Sequence, residues 1–241
     1  MMRKIKGDLM PPPLTPADLS GVALFKELDN EQLAWIARRL HRQTLAAGSN
    51  LALTEQPGEV VYIILTGTIK IYKQNLDGAE VILAVLGPGD TVGEMSLVDS
   101  VGRSANVVAQ EDTTVLWMGR AAFQECLQTL PAVTYNLVQI LSKRLRLANE
   151  QIQSLATLDV YGRVARQILA FAQQYGQPTS TAGDILIPIR LTQSDLADLV
   201  GASRERTNQV MVYYKRQKFI SVDRRHRITL HNQAALAERC R

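Results

Sequence analysis

Two cysteines, three histidines and the absence of any long apolar run set the first limits on this chain of 241 residues. Cys126 and Cys240 stand far apart and in no CxxC spacing, which argues against a disulfide scaffold, a zinc site and a cysteine-ligated iron–sulfur cluster. A reducing cytoplasm fits that usage. His41, His226 and His231 do not cluster, so no metal is expected. No apolar stretch approaches the roughly 18 residues of a membrane span, and no membrane partner is expected. Arg3, Lys4 and Lys6 precede no apolar segment, and Pro11, Pro12 and Pro13 follow at once. That fits neither a signal peptide nor an anchor, and residues 1–18 are expected to form a flexible tail.

What is present points to two domains. The chain is 46% hydrophobic and 21% charged, enough for two cores. Its net charge of +4 hides an asymmetry. Through Asp159 there are 14 Lys and Arg against 17 Asp and Glu, a balance of −3; from Val160 there are 13 against 6, a balance of +7. A polyanion partner for the C-terminal third and a merely solvated basic surface both fit that excess.

Residues 19–45 read as a short helical lead-in, with Leu24, Phe25, Leu28, Leu33, Ile36, Ala37 and Leu40 at helical spacing and Asp29 as an N-cap. From Gly48 the rhythm becomes short β-type runs at 60–65, 68–72, 81–86, 103–108 and 113–118. Turn signals at Pro57-Gly58, Thr66-Gly67, Asp77-Gly78 and 87–90 separate them. Many short strands with regular turns predict a compact antiparallel roll or barrel, placed at 19–130. No histidine or acid cluster of the kind a cupin-type enzyme needs lies within it, so no enzyme is expected.

After Pro131 the period turns helical, giving one long helix at 131–158. Val138, Leu141, Leu145, Ala148, Ile152 and Leu155 are spaced 3, 4, 3, 4, 3, an a/d seam. Val133, Leu137, Ile140 and Leu147 make a second stripe. A helix with two apolar stripes packs one on its own domain and the other on a twin, which predicts a homodimer; taken alone, the seam spans under three heptads and also fits ordinary core. Residues 159–241 then open with an amphipathic helix (159–174), a polar loop (177–183) and a short strand (185–191) whose Pro188 suits a sheet edge.

The most informative segment begins at Thr192. Thr192-Gln193-Ser194-Asp195 looks like a capping box with Asp in place of Glu. Gly201 supplies a tight turn, and Ser203 caps a second helix whose inner face is Thr207, Val210, Met211 and Tyr214. Its outer face carries Arg204, Glu205, Arg206, Asn208 and Gln209, side chains suited to base edges in a major groove. A hairpin follows with Arg224-Arg225-His226-Arg227 at its tip. Beside such a helix, Arg225 and Arg227 suit backbone phosphates. Thr192, Gln193, Ser194 and Ser203 complete the expected DNA-contact set. The fold class is therefore α+β: an N-terminal jelly-roll-like antiparallel β-roll, a long central dimerisation helix and a C-terminal winged helix-turn-helix at 159–241.

The roll carries one further pattern. Gly93-Glu94-Met95-Ser96-Leu97 and Gly102-Arg103-Ser104-Ala105 bring backbone N–H groups, an arginine fork, a hydroxyl and a carboxylate together. A site for one phosphate and one sugar, and a buried structural Arg–Glu pair, are both compatible with it. The glycine-rich stretch at 87–93 imitates a dinucleotide loop, but no long helix follows and β-type runs flank it.

Three stretches in this order, GEMSLVDSVGRSA at 93–105, TLDVYGRVARQIL at 157–169 and LTQSDLADLVGASRERTNQV at 191–210, resemble the cyclic AMP receptor protein/FNR superfamily of bacterial regulators. The resemblance implies a cyclic-nucleotide-binding roll and a homodimer joined by the central helix, bound to palindromic double-stranded DNA, with cAMP as an allosteric effector rather than a catalytic cofactor. It assigns ribose and phosphate to Gly93, Glu94, Arg103 and Ser104, with Met95, Ser96 and Ala105 beside them, and a nearby basic residue to Arg144. The two base-gripping positions fall on Ala148, which cannot hydrogen-bond a base through its side chain, and Asn149, which can. Arg204 and Glu205 match the base-reading pair, and Gln209 stands where a further basic contact is usual. RNA polymerase is the implied further partner, through 177–183. A relative sensing another effector, such as 2-oxoglutarate or a cyclic dinucleotide, or none, is the alternative that Ala148 keeps open.

Overall fold

The computed structural model describes residues 13–53, 58–75, 80–99 and 102–240. The chain begins with α1 (Pro16–Leu19), a 3-10 turn at Ala23–Phe25 and α2 (Asn30–Ala37). Strands β1 (His41–Leu45), β2 (Asn50–Ala52), β3 (Val60–Thr66), β4 (Ile69–Gln74), β5 (Glu80–Leu86) and β6 (Thr91–Val92) follow, then α3 (Glu94–Val98), β7 (Asn106–Ala109) and β8 (Thr113–Gly119). After α4 (Arg120–Thr129), α5 (Pro131–Thr157) and α6 (Val160–Tyr175) come β9 (Gln177–Pro178), β10 (Ile185–Ile187), α7 (Gln193–Val200), α8 (Arg204–Arg216), β11 (Ile220–Val222), β12 (Ile228–Leu230) and α9 (Gln233–Glu238).

The first eight strands make two antiparallel sheets, ordered β1-β8-β3-β6 and β2-β7-β4-β5. Their facing sides share a core that includes Leu45, Ile64, Ile69, Leu86, Val107 and Val115. Successive strand residues point to opposite faces, so Val61 and Ile63 of β3, with Leu116 and Met118 of β8, look the other way. There they meet Leu33 and Ile36 of α2, Phe123 of α4, and Val133 and Leu137 of α5. This is the expected roll, one sheet face closed on the other sheet and one clad by helices.

Several local expectations give way. The lead-in is helical only through Ala37: α2 is capped by Asp29 as expected, but His41–Leu45 is strand β1, paired from His41↔Trp117 to Leu45↔Thr113. Sheet pairing overrides a weak apolar period there. The expected tail ends before residue 18, because the Thr15 N–H and hydroxyl both donate to the Asp18 carboxylate, at 2.8 and 2.7 Å, and start α1. Residues 1–12 of that tail and the expected turn at Asp77-Gly78 lie outside the described residues. Pro188 follows β10 instead of lying in it, since a residue without an N–H cannot continue the ladder. β10 is an inner strand of the sheet β11-β12-β10-β9; the edge beside it is β9, formed by the start of the expected loop.

The helix α5 runs 27 residues, about 40 Å at 1.5 Å per residue. Its second stripe packs on the roll through Val133 and Leu137, and Leu141, expected in the dimer seam, joins them half-buried instead. Val138, Leu145, Ile152 and Leu155 are left 46 to 66% exposed. Beyond α5, the helices α6 to α9 and the last sheet enclose a core centred on Val164, Ile168, Leu196, Val210 and the fully buried Tyr214. Ile82 and Val85 of β5 belong to this same cluster, so the roll is packed directly against the C-terminal domain.

Candidate effector cavity and DNA-reading surface

The roll, α5 and the C-terminal domain enclose a cavity of about 660 Å³. At its roll end, Gly93 precedes α3 with φ +94°, a left-handed conformation that favours glycine. A methyl group there would stand 2.2 Å from Arg103 Nη1 and 2.7 Å from the Val60 carbonyl oxygen. Glycine is thus required twice, for the backbone and for the approach of the guanidinium. Arg103 is 8% exposed and donates from Nη2 to the Val60 carbonyl at 2.6 Å. Burial pushes its pKa below the ordinary value, and an incoming anion would offset that cost.

Glu94 is 2% exposed. Its Oε1 accepts from Arg144 Nη1, and Arg144 Nη2 donates to the Thr91 carbonyl. Its Oε2 is buried with no partner, an acceptor that a ligand hydroxyl can satisfy at the gain of a buried hydrogen bond. Of the two readings of this region, the buried Arg–Glu pair does exist, but its arginine is Arg144 from α5. Arg103 lies beside it, committed to a single carbonyl among its described contacts. Ser104 is exposed to the cavity, Met95 stands half-exposed in its wall, and Ala105 is buried behind it. Ser96 turns its hydroxyl to the Gly102 carbonyl at 3.4 Å. Eight of the nine expected ligand residues line the cavity; Asn149 does not and faces outward from α5, whereas Ala148 does. A guanidinium, a hydroxyl and an orphaned carboxylate oxygen fit a phosphodiester beside a sugar hydroxyl. Among the described residues no group of three His, Cys, Asp or Glu could hold a metal ion.

The DNA-reading surface is built from caps. The Thr192 hydroxyl oxygen accepts from the Asp195 N–H at 3.1 Å, and the Thr192 N–H donates to Asp195 Oδ2 at 2.9 Å, closing the capping box of α7. Gly201 ends α7 in the left-handed region, φ +60°, and Ser203 Oγ accepts from the Arg206 N–H at 3.2 Å to start α8. Tyr214 anchors the inner face of α8, its hydroxyl donating to the Tyr161 carbonyl at 2.7 Å. The outer face is open: Arg204, Glu205, Arg206, Asn208 and Gln209 are all exposed, and Arg206 donates to Gln209 at 3.1 Å. Gln193 is exposed and Thr192 and Ser194 half-exposed. In the wing turn, the Asp223 carboxylate accepts from the N–H groups of Arg225 and Arg227, both at 2.8 Å. Arg225 is exposed; Arg227 is half-buried, 3.9 Å from Glu111 of the roll. Among the described residues a Ser–His–Asp chain occurs, His231 bridging Asp184 and Ser221 at 2.8 and 2.9 Å. It ties the ends of β10, β11 and β12 together and does not line the effector cavity.

Two family descriptions match this chain: a cyclic nucleotide-binding domain over residues 42–130 and a Crp-like helix-turn-helix domain over residues 162–239. A CRP-like cAMP-activated global transcriptional regulator of Mycobacterium tuberculosis is 30% identical over 223 residues, 92% of this chain and 98% of that protein. The cyclic AMP receptor protein of Thermus thermophilus is 34% identical over 197 residues, 80% of this chain and 85% of that one. Among solved structures, the c-di-GMP responsive global regulator CLP of Xanthomonas campestris superposes with a TM-score of 0.66 at 23% identity, covering 84% of this chain and 99% of that one; at that identity the likeness speaks for the fold alone. No helix among the described residues is long and apolar enough to cross a membrane.

Proposed function

Because the chain belongs to the CRP/FNR family of bacterial transcription regulators, we propose that it is a cytoplasmic homodimer that binds a palindromic operator under the control of cAMP. The observation that carries this reading is the pairing of a buried Arg103, which forms no ion pair within 4 Å among the described residues, with the partnerless Glu94 Oε2 in one cavity. In this reading, Arg103 and Ser104 hold the phosphate of the effector. Glu94 accepts from its ribose and Arg144 ties the same group to α5. The exposed Val138, Leu145, Ile152 and Leu155 give α5 a seam for a second copy. Two copies of α8 then sit about one DNA turn, roughly 34 Å, apart, with Arg204 and Glu205 reading bases and Arg225 and Arg227 on the backbone. RNA polymerase is the further partner this role implies. Nothing in the role calls for catalysis.

The second reading keeps the fold and the DNA role and changes the effector. Ala148 motivates it, because its side chain offers a base no hydrogen bond. Calorimetry with cAMP, cGMP and c-di-GMP against the wild type and Arg103→Leu separates the two. The first reading expects cAMP to bind the wild type best and the variant at least 100-fold more weakly. Binding of a cyclic dinucleotide alone favours the second, and cAMP binding untouched by Arg103→Leu removes the clasp.

A further inference from the structure

The roll holds the DNA-reading module by polar contacts that DNA itself would contest. Between β7 and β8, Gln110 donates from Nε2 to Asp195 Oδ1 at 3.2 Å and accepts at Oε1 from Arg190 Nη1 at 3.2 Å. The Arg190 N–H donates to Thr68 Oγ1 at 2.9 Å, and the Thr68 hydroxyl donates to Glu111 Oε1 at 2.7 Å. Glu111 Oε2 then lies 3.9 Å from Arg227 Nη2. Asp195 is the capping acid of α7, and Arg227 is the inner cation of the wing. The turn therefore touches both flanks of the reading helix while leaving α8 itself uncovered.

At 3.9 Å the Glu111–Arg227 pair is an ion pair without a hydrogen bond, and the carboxylate lowers the positive potential that a DNA phosphate would meet at Arg227. The Glu111 and Arg227 side chains are only 22% and 28% exposed, so Glu111 competes with a phosphate for the Arg227 charge from within the domain boundary. Apolar contact between the domains, through Ile82 and Val85, keeps the acid in place. We propose that Gln110 and Glu111 of the roll turn form an autoinhibitory latch in which Glu111 stands in for a DNA phosphate on Arg227 and Gln110 pins the start of α7. The latch rests on the DNA-binding reading and specifies how it is restrained. Its strength sets how far the closed arrangement lowers ligand-free DNA affinity, since closed and open forms differ by that contact free energy. The effector cavity borders the same boundary, lined by Gln167 and Gln174 of α6 and by the end of α7 at Leu199. A ligand there can favour one arrangement over the other.

The test measures ligand-free binding of a labelled palindromic duplex by anisotropy at low salt, for the full-length wild type, Glu111→Gln, Gln110→Ala, the double variant and Asp112→Asn. Asp112 is an acid of the same turn that accepts from the Ala47 N–H at 3.0 Å and serves as the control for net charge. The latch predicts affinity raised about two- to threefold by Glu111→Gln, since a rim ion pair is weak, and about tenfold by the double variant. Asp112→Asn should change nothing. Thermal melts check that each variant is folded, and Gln110→Ala, which removes no charge, keeps the test open if Glu111→Gln fails to fold. Unchanged or weaker DNA binding in folded latch variants overturns the proposal, as does an equal gain from Asp112→Asn. Failure of every protein, wild type included, to bind duplex DNA at low salt overturns the DNA-binding reading itself, and the latch with it.

Discussion

In the effector cavity, Glu94 and Arg103 are almost wholly buried and already hold protein partners, whereas on α8 Arg204, Glu205 and Asn208 stand in solvent. Ligand binding in the first region engages side chains the fold already uses, since Glu94 bonds Arg144 and Arg103 bonds the Val60 carbonyl. DNA reading in the second region adds contacts to a surface whose shape is fixed from beneath by Tyr214, Val210 and Met211. Substitutions in the cavity should therefore move stability and ligand affinity together, and those on the outer face of α8 should move DNA affinity alone.

The largest effect that sharpens this contrast is expected at Gly93. Gly93→Val places a branched side chain at φ +94° and against Arg103. It should cost about 3 kcal/mol of stability, from left-handed strain and overpacking together, and abolish nucleotide binding; a denaturant melt and calorimetry measure both. Next, Arg204→Ala should weaken operator binding by about 1–3 kcal/mol, the worth of one bidentate base contact. Its melting behaviour should stay within about 0.5 kcal/mol of the wild type. A melt as disturbed as that of Gly93→Val would break the comparison. Smaller still, Tyr214→Phe removes one buried hydrogen bond beneath α8 and should cost about 1 kcal/mol of stability, with operator affinity changed less than twofold.

An effect confined to alkaline pH lies in the roll core. Burial raises the Cys126 thiol from the ordinary 9.0 to about 11. An acid held protonated by the fold loses its stabilising difference as pH rises through the window between those values, because the unfolded chain gives up the proton first. From pH 9 to about 11 the wild type should thus lose up to about 2 kcal/mol more stability than Cys126→Ala, read as the difference between parallel urea melts.

The two regions also differ in how far they could be read before folding. The DNA-reading module rests on local rules: a capping box at Thr192, a left-handed turn at Gly201, a cap at Ser203 and one apolar face. All of these act within a few residues, and the folded chain has each of them. In the cavity the residue types were legible, but the pairing of Glu94 with Arg144 bridges 50 positions and leaves no periodic trace. The Gln110 to Asp195 bond bridges 85 and is equally silent. β1 and Pro188 show the same limit from another side, since partner strands decide where a short strand begins and ends. No pattern in the residues marks α4, whose fully buried positions, Phe123 and Cys126, are too few to declare a helix face.

The account depends on the cavity speaking to the reading surface. The direct measurement is operator affinity, by anisotropy at one fixed salt concentration, with and without saturating cAMP, on protein whose cAMP occupancy is verified by calorimetry in the same buffer. The account predicts that bound cAMP changes operator affinity by tenfold or more, and that Arg103→Leu erases the change. An operator affinity that stays the same while the cavity is demonstrably filled would contradict it.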